Sequence, residues 1–285
     1  MPETTKDLVP GVFSRHAGAY LDRVGGAMHR GEARGRTRVV EVLALRPGER
    51  VLDLGCGPGI LTLPLADAVG PAGLALGVDL ARGMLELLRA AAPPQARVAL
   101  MDMEALGVRC GAFEAVAAGH ALQFCPDLAR ALAEVRRALR PGGRFAASLP
   151  RDGDASPARE ILDEVFDRRL PPVPQPEDSI ATRQLVRDDD RLAAALTDAG
   201  LIDVAMERID EVTTYSGPDE LVTATLSWWS TAWRQEAVPE AVRESVRTEV
   251  IQALRDRLGG GPLAMPGVSL VLSARVPPGP HRPPP

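Results

Sequence analysis

Short apolar runs alternate with amphipathic segments through the first half of the chain. The apolar runs are typical of strands buried on both faces, and they cover residues 50–54, 74–78, 97–101, 113–118 and 144–149. Helical spacing of apolar residues separates them over Ile60–Val69, Ala81–Ala92 and Pro126–Arg140. Strands that alternate with helices predict an α/β protein, in which a mostly parallel, doubly wound sheet is covered by helices on both faces.

The pattern is looser on either side of this region. Helices interrupted at Gly25-Gly26 and Gly31 are predicted between Val12 and Leu45. Later in the chain we expect helices at residues 158–170 and 188–199, a strand at 201–208, two helices within 216–258 and a last strand at 268–276. Pro218 is placed to open the first helix of that pair. The Pro-rich stretch 171–176 is predicted to lie outside the core.

Charge and cysteine content narrow the class of protein. The net charge of −5 argues against a nucleic-acid partner, because phosphate binding normally shows as a basic balance. Arg34, Arg36 and Arg38 form the densest positive stretch, which we interpret as the solvated face of a helix rather than a binding patch. Three widely spaced cysteines indicate neither a disulfide framework nor a metal site. With no signal peptide and no membrane-length apolar run, we expect a cytoplasmic protein.

The most informative stretch is VLDLGCGPG at residues 51–59. A glycine-rich turn between a strand and a helix lets a ligand approach bare backbone, and it points helix N–H groups at negative charge. A dinucleotide fingerprint would place glycine where Ile60 stands, and it does not require an acid at Asp53. A nicotinamide cofactor is therefore disfavoured.

This stretch resembles the first motif of class I S-adenosylmethionine-dependent methyltransferases, and further motifs of that family follow in order. Asp79 ends the second predicted strand, and residues 101–104 (MDME) and 139–145 (LRPGGRF) match later family segments. The subgroup that looks most similar contains ubiquinone, menaquinone and natural-product methyltransferases. The resemblance implies a Rossmann-like sheet, mostly parallel with an antiparallel last strand, together with a helical cap.

The resemblance also implies a division of the chain and a cofactor site. The expected parts are an N-terminal helical segment or lid (1–35), the cofactor-binding core (36–150), a cap insertion (151–187), the rest of the core (188–276) with a helical insertion (216–258), and a disordered tail (277–285). Asp79 would hold the ribose hydroxyls of S-adenosylmethionine, and Asp102 would accept the adenine amino group. The cofactor-binding residues expected are Asp53, Gly55, Gly57, Gly59, Asp79, Leu80, Asp102, Met103, Gly119 and Tyr20. Asp53 has a simpler alternative, which is to cap the turn.

His120 is the candidate general base, because it lies just past the fourth strand, at the edge where open α/β sheets bind ligands. The alternative is a histidine that only packs beside the cofactor. His16, Gln123 and Trp229 are candidate substrate contacts. Trp229 also belongs to a helically spaced apolar stripe with Leu226 and Trp233, which is more typical of a core than of a substrate lid.

Transfer of a methyl group to a small organic acceptor is the expected function. A second hypothesis is a cyclisation or rearrangement on the same fold without methyl transfer, and a third is a non-catalytic binding module. A homodimer is possible, whereas neither nucleic acid nor membrane is expected as a partner.

Overall fold

The computed structural model describes residues 4–151, 153–174 and 176–279, and its centre is a seven-stranded sheet. The strands are β1 (Arg50–Leu54), β2 (Leu74–Asp79), β3 (Ala96–Leu100), β4 (Phe113–Gly119), β5 (Leu139–Arg151), β6 (Ile202–Tyr215) and β7 (Leu263–Arg275). Their spatial order is β3-β2-β1-β4-β5-β7-β6. β7 runs antiparallel to both of its neighbours, and the other strands pair in parallel from β3 to β5. The predicted mostly parallel sheet with an antiparallel last strand is confirmed.

Helices cover both faces of the sheet. They are α1 (Thr5–Arg15), α2 (Ala17–His29), α3 (Arg34–Leu43), α4 (Thr62–Val69), α5 (Arg82–Ala91), α6 (Leu128–Ala138), α7 (Pro157–Arg169), α8 (Ile180–Leu185), α9 (Asp189–Asp198), α10 (Pro218–Leu226), α11 (Trp229–Glu236) and α12 (Glu240–Leu258). Pro64 lies in the first turn of α4, where its missing N–H would have no helical partner in any case.

Alternate residues of the central strands point into two separate cores. Leu52 and Val116 pack with α6 and α9 on one face, whereas Val51 and Ala115 pack with α3 and α4 on the other. This alternation follows from the two-residue period of a strand. Because both faces are buried, the strands read as continuous apolar runs in the sequence.

A third apolar cluster lies away from the two faces of the sheet. α7, α10 and α12 pack there against Tyr215 of β6 and Leu263 and Met265 of β7. These strand ends project beyond β5, because β5 pairs with β7 only from Val268 onward. The helical layer predicted above the core is thus built on a two-stranded extension of the sheet.

Several sequence-based boundaries were wrong. Residues 216–258 form three helices instead of two, since Ser227 and Pro239 interrupt them. β6 and β7 continue past the predicted ends because they pair with each other outside the main sheet. α1 begins at Thr5 and contains Pro10, and α2 runs through Gly25-Gly26 without a break. A second helix, α8, follows the Pro-rich stretch.

The predicted disordered tail falls mostly outside the described residues. Residues 277–279 have no regular secondary structure, and the Pro277 carbonyl accepts a hydrogen bond from the Gly142 N–H at 3.2 Å. Residues 280–285 are not among those described. Within the described part of the chain, no helix is long and apolar enough to cross a bilayer.

Candidate active site

The carboxyl ends of β1, β2 and β4 open into a cleft of about 780 Å³ that α1 covers from above. Open α/β sheets bind their ligands at this edge. The cleft is lined by the expected cofactor residues Gly55, Gly57, Asp79, Leu80, Asp102, Met103, Gly119 and Tyr20, by His120, and by further residues of α1 and of the segment 121–126. Eight of the ten predicted cofactor residues therefore meet at one place.

Asp79 fastens the glycine turn to the start of α5. Its Oδ2 accepts a hydrogen bond from the Gly57 N–H at 2.8 Å, and its Oδ1 accepts one from the Ala81 N–H, also at 2.8 Å. Burial raises the pKa of the Asp79 carboxyl, and these backbone donors oppose that rise. The carboxylate is thus held rigidly at the mouth of the turn, with acceptor capacity left for a ligand.

The glycines of the turn have different tasks. Gly57 has a φ of +54°, and a side chain there would meet open space, so its bare backbone faces the cleft. Gly59 has a φ of +97°, and an added Cβ would come within 2.4 Å of Leu88 Cδ1. Gly59 therefore permits close packing of α5 and does not line the cleft.

Asp53 lies beneath the turn and is 1% exposed. Its Oδ2 accepts a hydrogen bond from Thr62 Oγ1 at 2.6 Å, and Oδ1 has no partner among the described residues. Burial raises the pKa of Asp53 to about 7, and the charge of Asp79 adds to that rise. Asp53 does not line the cleft, so it supports the turn through Thr62 at the start of α4.

The free energy of unfolding should depend on pH because Asp53 is buried. Because the folded-state pKa is above the unfolded value of about 3.9, the fold gains stability from protonated Asp53 at low pH and loses it as the pH rises toward about 7. Asp53→Asn, which resembles the protonated form, should gain stability relative to wild type between pH 5 and pH 8, by on the order of 1–3 kcal/mol. Chemical denaturation at several pH values measures this difference.

The control is Asp67→Asn, at an exposed aspartate of α4. Its stability should follow that of the wild type across the same pH range. Parallel pH profiles for wild type and Asp53→Asn would show that burial of Asp53 does not raise its pKa.

Asp102 is held by Lys6, a residue that no motif in the sequence singles out. Lys6 Nζ of α1 lies 2.7 Å from Asp102 Oδ2 and 2.6 Å from Glu104 Oε2. Glu104 is buried and also accepts hydrogen bonds from Cys125 Sγ at 3.1 Å and from the Asp127 N–H at 2.9 Å. α1 is thereby tied to the wall of the cleft by charge as well as by packing.

A signal for α1 exists in the sequence. Thr4 and Asp7 form a reciprocal capping box at its start, in which aspartate replaces the usual glutamate or glutamine. The helix therefore starts well before the first glycine-rich break. Thr5 Oγ1 anchors the same turn by donating to Asp178 Oδ1 at 2.7 Å.

His120 is buried in a polar chain. Its Nε2 lies 2.9 Å from Ser269 Oγ, and Ser269 Oγ donates to Glu211 Oε2 at 3.1 Å. Because the serine proton is given to the carboxylate, the geometry assigns the ring proton to Nε2 and leaves Nδ1 with a free lone pair. Burial lowers the pKa of His120 well below its usual value, and the charges of Arg36 and Arg23 lower it further. The imidazole is therefore neutral at physiological pH.

Backbone geometry fixes the direction of His120. Its φ of +54° is unusual for a residue with a side chain, and its N–H donates to the Ser148 carbonyl at 2.9 Å. Gln123 Nε2 donates to the His120 carbonyl at 2.6 Å. Gln123 thus braces the turn after β4 instead of lining the cleft, although it was a candidate substrate contact.

The other two candidate substrate contacts lie beside the cleft. His16 Nε2 is 2.9 Å from Glu236 Oε1 of α11. Trp229 packs edge-on against Phe124, with ring centroids 5.8 Å apart, and Phe124 in turn contacts Phe13 at 5.4 Å. Phe13 and Phe124 line the cleft, so Trp229 supports an aromatic wall from behind.

The donors and acceptors of the cleft fit S-adenosylmethionine. The glycine backbone is open at Gly57, Asp79 and Asp102 supply acceptors for hydroxyl and amino groups, and Leu80, Met84, Met101 and Met103 supply apolar contact for a purine. These residues would hold the cofactor between β1, β2 and the segment after β3.

Comparison with known proteins agrees with this geometry. A family model described as "Methyltransferase domain" matches residues 51–143. Nocamycin O-methyltransferase of Saccharothrix syringae is 29% identical over 267 residues, which are 88% of this chain and 92% of that protein. Aklanonic acid methyltransferase of a Streptomyces species is 34% identical over 149 residues, or 51% of this chain and 66% of that one. The chain spans about half the length of the demethylmenaquinone methyltransferases that it also matches.

Solved structures share the fold over nearly the whole chain. The [4+2]-cyclase SpnF has a TM-score of 0.58 and 18% sequence identity, covering 97% of each chain. The cleft geometry and the matched methyltransferase domain lead to the same conclusion. The cofactor of this protein is S-adenosylmethionine. The chain thus contains, at residues 51–143, a methyltransferase domain of the class I S-adenosylmethionine-dependent type.

Proposed function

We propose that this protein transfers the methyl group of S-adenosylmethionine to an oxygen atom of a small natural-product acceptor. The observation that carries the proposal is the meeting, in one cleft, of a cofactor cradle and a histidine with a free ring nitrogen. The names of the relatives that match support an acceptor of the nocamycin or aklanonic acid type, and an oxygen atom as the target.

The cofactor-binding roles are part of this proposal. Gly55 and Gly57 offer backbone to the cofactor's amino-acid end, Asp79 accepts from the ribose hydroxyls, and Asp102 accepts from the adenine amino group. When bound, S-adenosylmethionine supplies a methyl group already activated by its sulfonium. The protein's own contribution is then alignment of the acceptor and exclusion of water, which can supply about 7–11 kcal/mol in well-oriented reactions.

His120 acts on the acceptor. Nδ1 accepts a hydrogen bond or a proton from the acceptor's hydroxyl group, while Nε2–H remains bonded to Ser269. Glu211 fixes the serine hydroxyl and itself accepts the Gly35 N–H at 2.5 Å. Ser269 and Glu211 are thus positioning residues, in the manner of the third member of a catalytic triad.

The parts of the chain take corresponding roles. Residues 36–150 and, apart from the helical insertion 216–258, residues 188–276 build the core, and the N-terminal segment (1–35) forms a lid whose α1 lies over the cleft. The segments 151–187 and 216–258 form the cap beside the acceptor. The apolar cluster between α7, α10 and α12 supports this assignment, because it is separate from the two cores of the sheet.

Methyl transfer is tested by product formation. Purified protein with S-adenosylmethionine labelled in its methyl group should convert an aromatic polyketide acid or a related phenol to a labelled product, with equimolar S-adenosylhomocysteine. Acceptors without a hydroxyl or carboxyl group are the controls, and they should remain unlabelled. Conversion of an acceptor without release of S-adenosylhomocysteine would overturn methyl transfer and favour the rearrangement hypothesis.

Two further expectations belong to the proposal. A cytoplasmic location is supported by Cys56, Cys110 and Cys125, all of which are free thiols. A homodimer remains a prediction for measurement by light scattering.

A further inference from the structure

Two arginines, Arg23 and Arg36, lie behind the lining of the cleft, near enough to His120 for their charges to lower its pKa. Arg36 Nη2 lies 3.5 Å from the Tyr20 hydroxyl, and its Cγ would lie 3.9 Å from a Cβ placed on Gly119. Tyr20, Gly119 and His120 all line the cleft. Arg36 therefore lies directly behind this part of the cleft lining.

Arg23 is enclosed beside it by aromatic rings. Its guanidinium carbon lies 4.3 Å from the Trp228 ring centroid and 5.2 Å from that of Tyr20, and its Nε donates to Ser227 Oγ at 2.8 Å. Burial lowers the pKa of Arg23 to about 10, and the charge of Arg36 also acts in that direction. Arg23 is still protonated at neutral pH.

Neither arginine pairs with a carboxylate among the described residues. Comparable enclosed arginines of this chain are paired, since Arg234 lies 2.9 Å from Asp167 and Arg151 lies 2.7 Å from Asp189. Two neighbouring guanidinium groups without a counter-charge repel each other and are costly to desolvate. A site that holds them together is suited to an anionic ligand.

Resting on the proposed function, we propose that Arg23 and Arg36 form the subsite that binds a negatively charged oxygen of the acceptor. The ligand class is an oxyanion attached to an apolar ring system, either a carboxylate or the ionised hydroxyl of a phenol or enol. The aromatic wall of Phe13, Tyr20 and Phe124 contacts the ring system, and the two guanidinium groups hold its charged end. This selects acidic acceptors over neutral ones of the same shape.

The test uses matched probes and calorimetry on protein saturated with S-adenosylhomocysteine. The carboxylate pair is 2-naphthoate and its neutral isostere 2-naphthamide. The phenolate pair is 4-nitrophenol, buffered above its own pKa, and 4-nitroanisole. At least one anion should bind about tenfold or more tightly than its neutral partner, which is the effect of a charge-assisted hydrogen bond.

Arg23→Gln and Arg36→Gln should each remove about tenfold of the anion's affinity and leave the neutral probe unaffected. Arg38→Gln is the control, because Arg38 lies on the same helix as Arg36 but pairs on the surface with Glu41 and Glu207. It should behave as wild type. Arg23→Lys, which keeps the positive charge, should bind the anion in preference to its neutral partner more strongly than Arg23→Gln does.

The outcomes separate this inference from the proposed function. Preference for only one of the two anions identifies the source of the charge and still supports the subsite. Equal affinity for charged and neutral probes, no measurable binding of either anion, or a preference that survives both Gln variants would overturn it. Loss of S-adenosylhomocysteine binding in the wild type would instead contradict the proposed function.

Discussion

Replacing His120 with alanine should lower kcat by about 10²- to 10⁴-fold, the usual contribution of a positioned general base. The affinity for S-adenosylhomocysteine should stay near that of the wild type, because the cofactor is held by the glycine turn, Asp79 and Asp102. The physical reason for the loss is the removal of the His120 Nδ1 lone pair, which is not used in the hydrogen bonds from His120 to Ser269 and Glu211. Single-turnover kinetics and calorimetry on the same variant measure the two quantities.

Ser269→Ala distinguishes positioning from packing. This change leaves the imidazole in place and removes the acceptor of its Nε2–H, so the ring can exchange tautomers. We expect a smaller fall in kcat than for His120→Ala, with KM for the acceptor little changed. Equal losses of turnover and cofactor affinity in His120→Ala would make the histidine a cofactor contact, and an unchanged kcat would remove it from the reaction.

Replacing Asp79 with alanine should weaken S-adenosylmethionine binding by about 1–3 kcal/mol, the range expected when a charge-assisted hydrogen bond is lost. The variant also frees the N–H groups of Gly57 and Ala81, so the turn itself loosens. Isothermal titration measures the affinity, and a thermal melt shows whether the fold survives. Asp67→Ala, on the exposed face of α4, serves as the control and should bind as the wild type does.

An affinity for S-adenosylmethionine that is unchanged in a folded Asp79→Ala variant would contradict the ribose assignment. Asp79→Asn adds a second check. The amide keeps one acceptor for the backbone but loses the charge, so its affinity should lie between those of the alanine variant and the wild type.

The order of strands and helices was predictable because the sheet is buried on both faces. Each central strand is then a continuous apolar run, bounded by a turn that carries its own signal, such as Pro47-Gly48 before β1. The ends of β6 and β7 were not predictable in the same way. Much of β6 is exposed, and its length depends on pairing with β7, which lies some fifty residues away in the sequence.

Site residues that belong to a sequence motif were predictable. Site residues contributed by elements far apart in the sequence were not. Gly57, Asp79 and Asp102 follow strand ends that the topology places side by side. Ser269 and Glu211 lie on β7 and β6, and no spacing in the sequence connects them with His120. These three side chains come together because β7 pairs with β5 on one side and with β6 on the other.

The three arginines of α3 were all predicted to lie on one solvated helix face, but they do not share one environment. Arg34 and Arg38 fit the predicted solvated face, since Arg34 is exposed and Arg38 pairs with surface glutamates. Arg36 does not, because residues two apart on a helix point in different directions. Its side chain turns toward Tyr20 and Gly119, so this part of the interpretation was wrong.

Isothermal titration of the purified wild-type protein with S-adenosylmethionine, and separately with S-adenosylhomocysteine, measures whether the cleft binds the cofactor. We expect micromolar binding of both ligands, at one site per chain. An absence of binding of either ligand to folded protein would contradict the assignment of the cleft as a cofactor site, and with it the proposed methyl transfer.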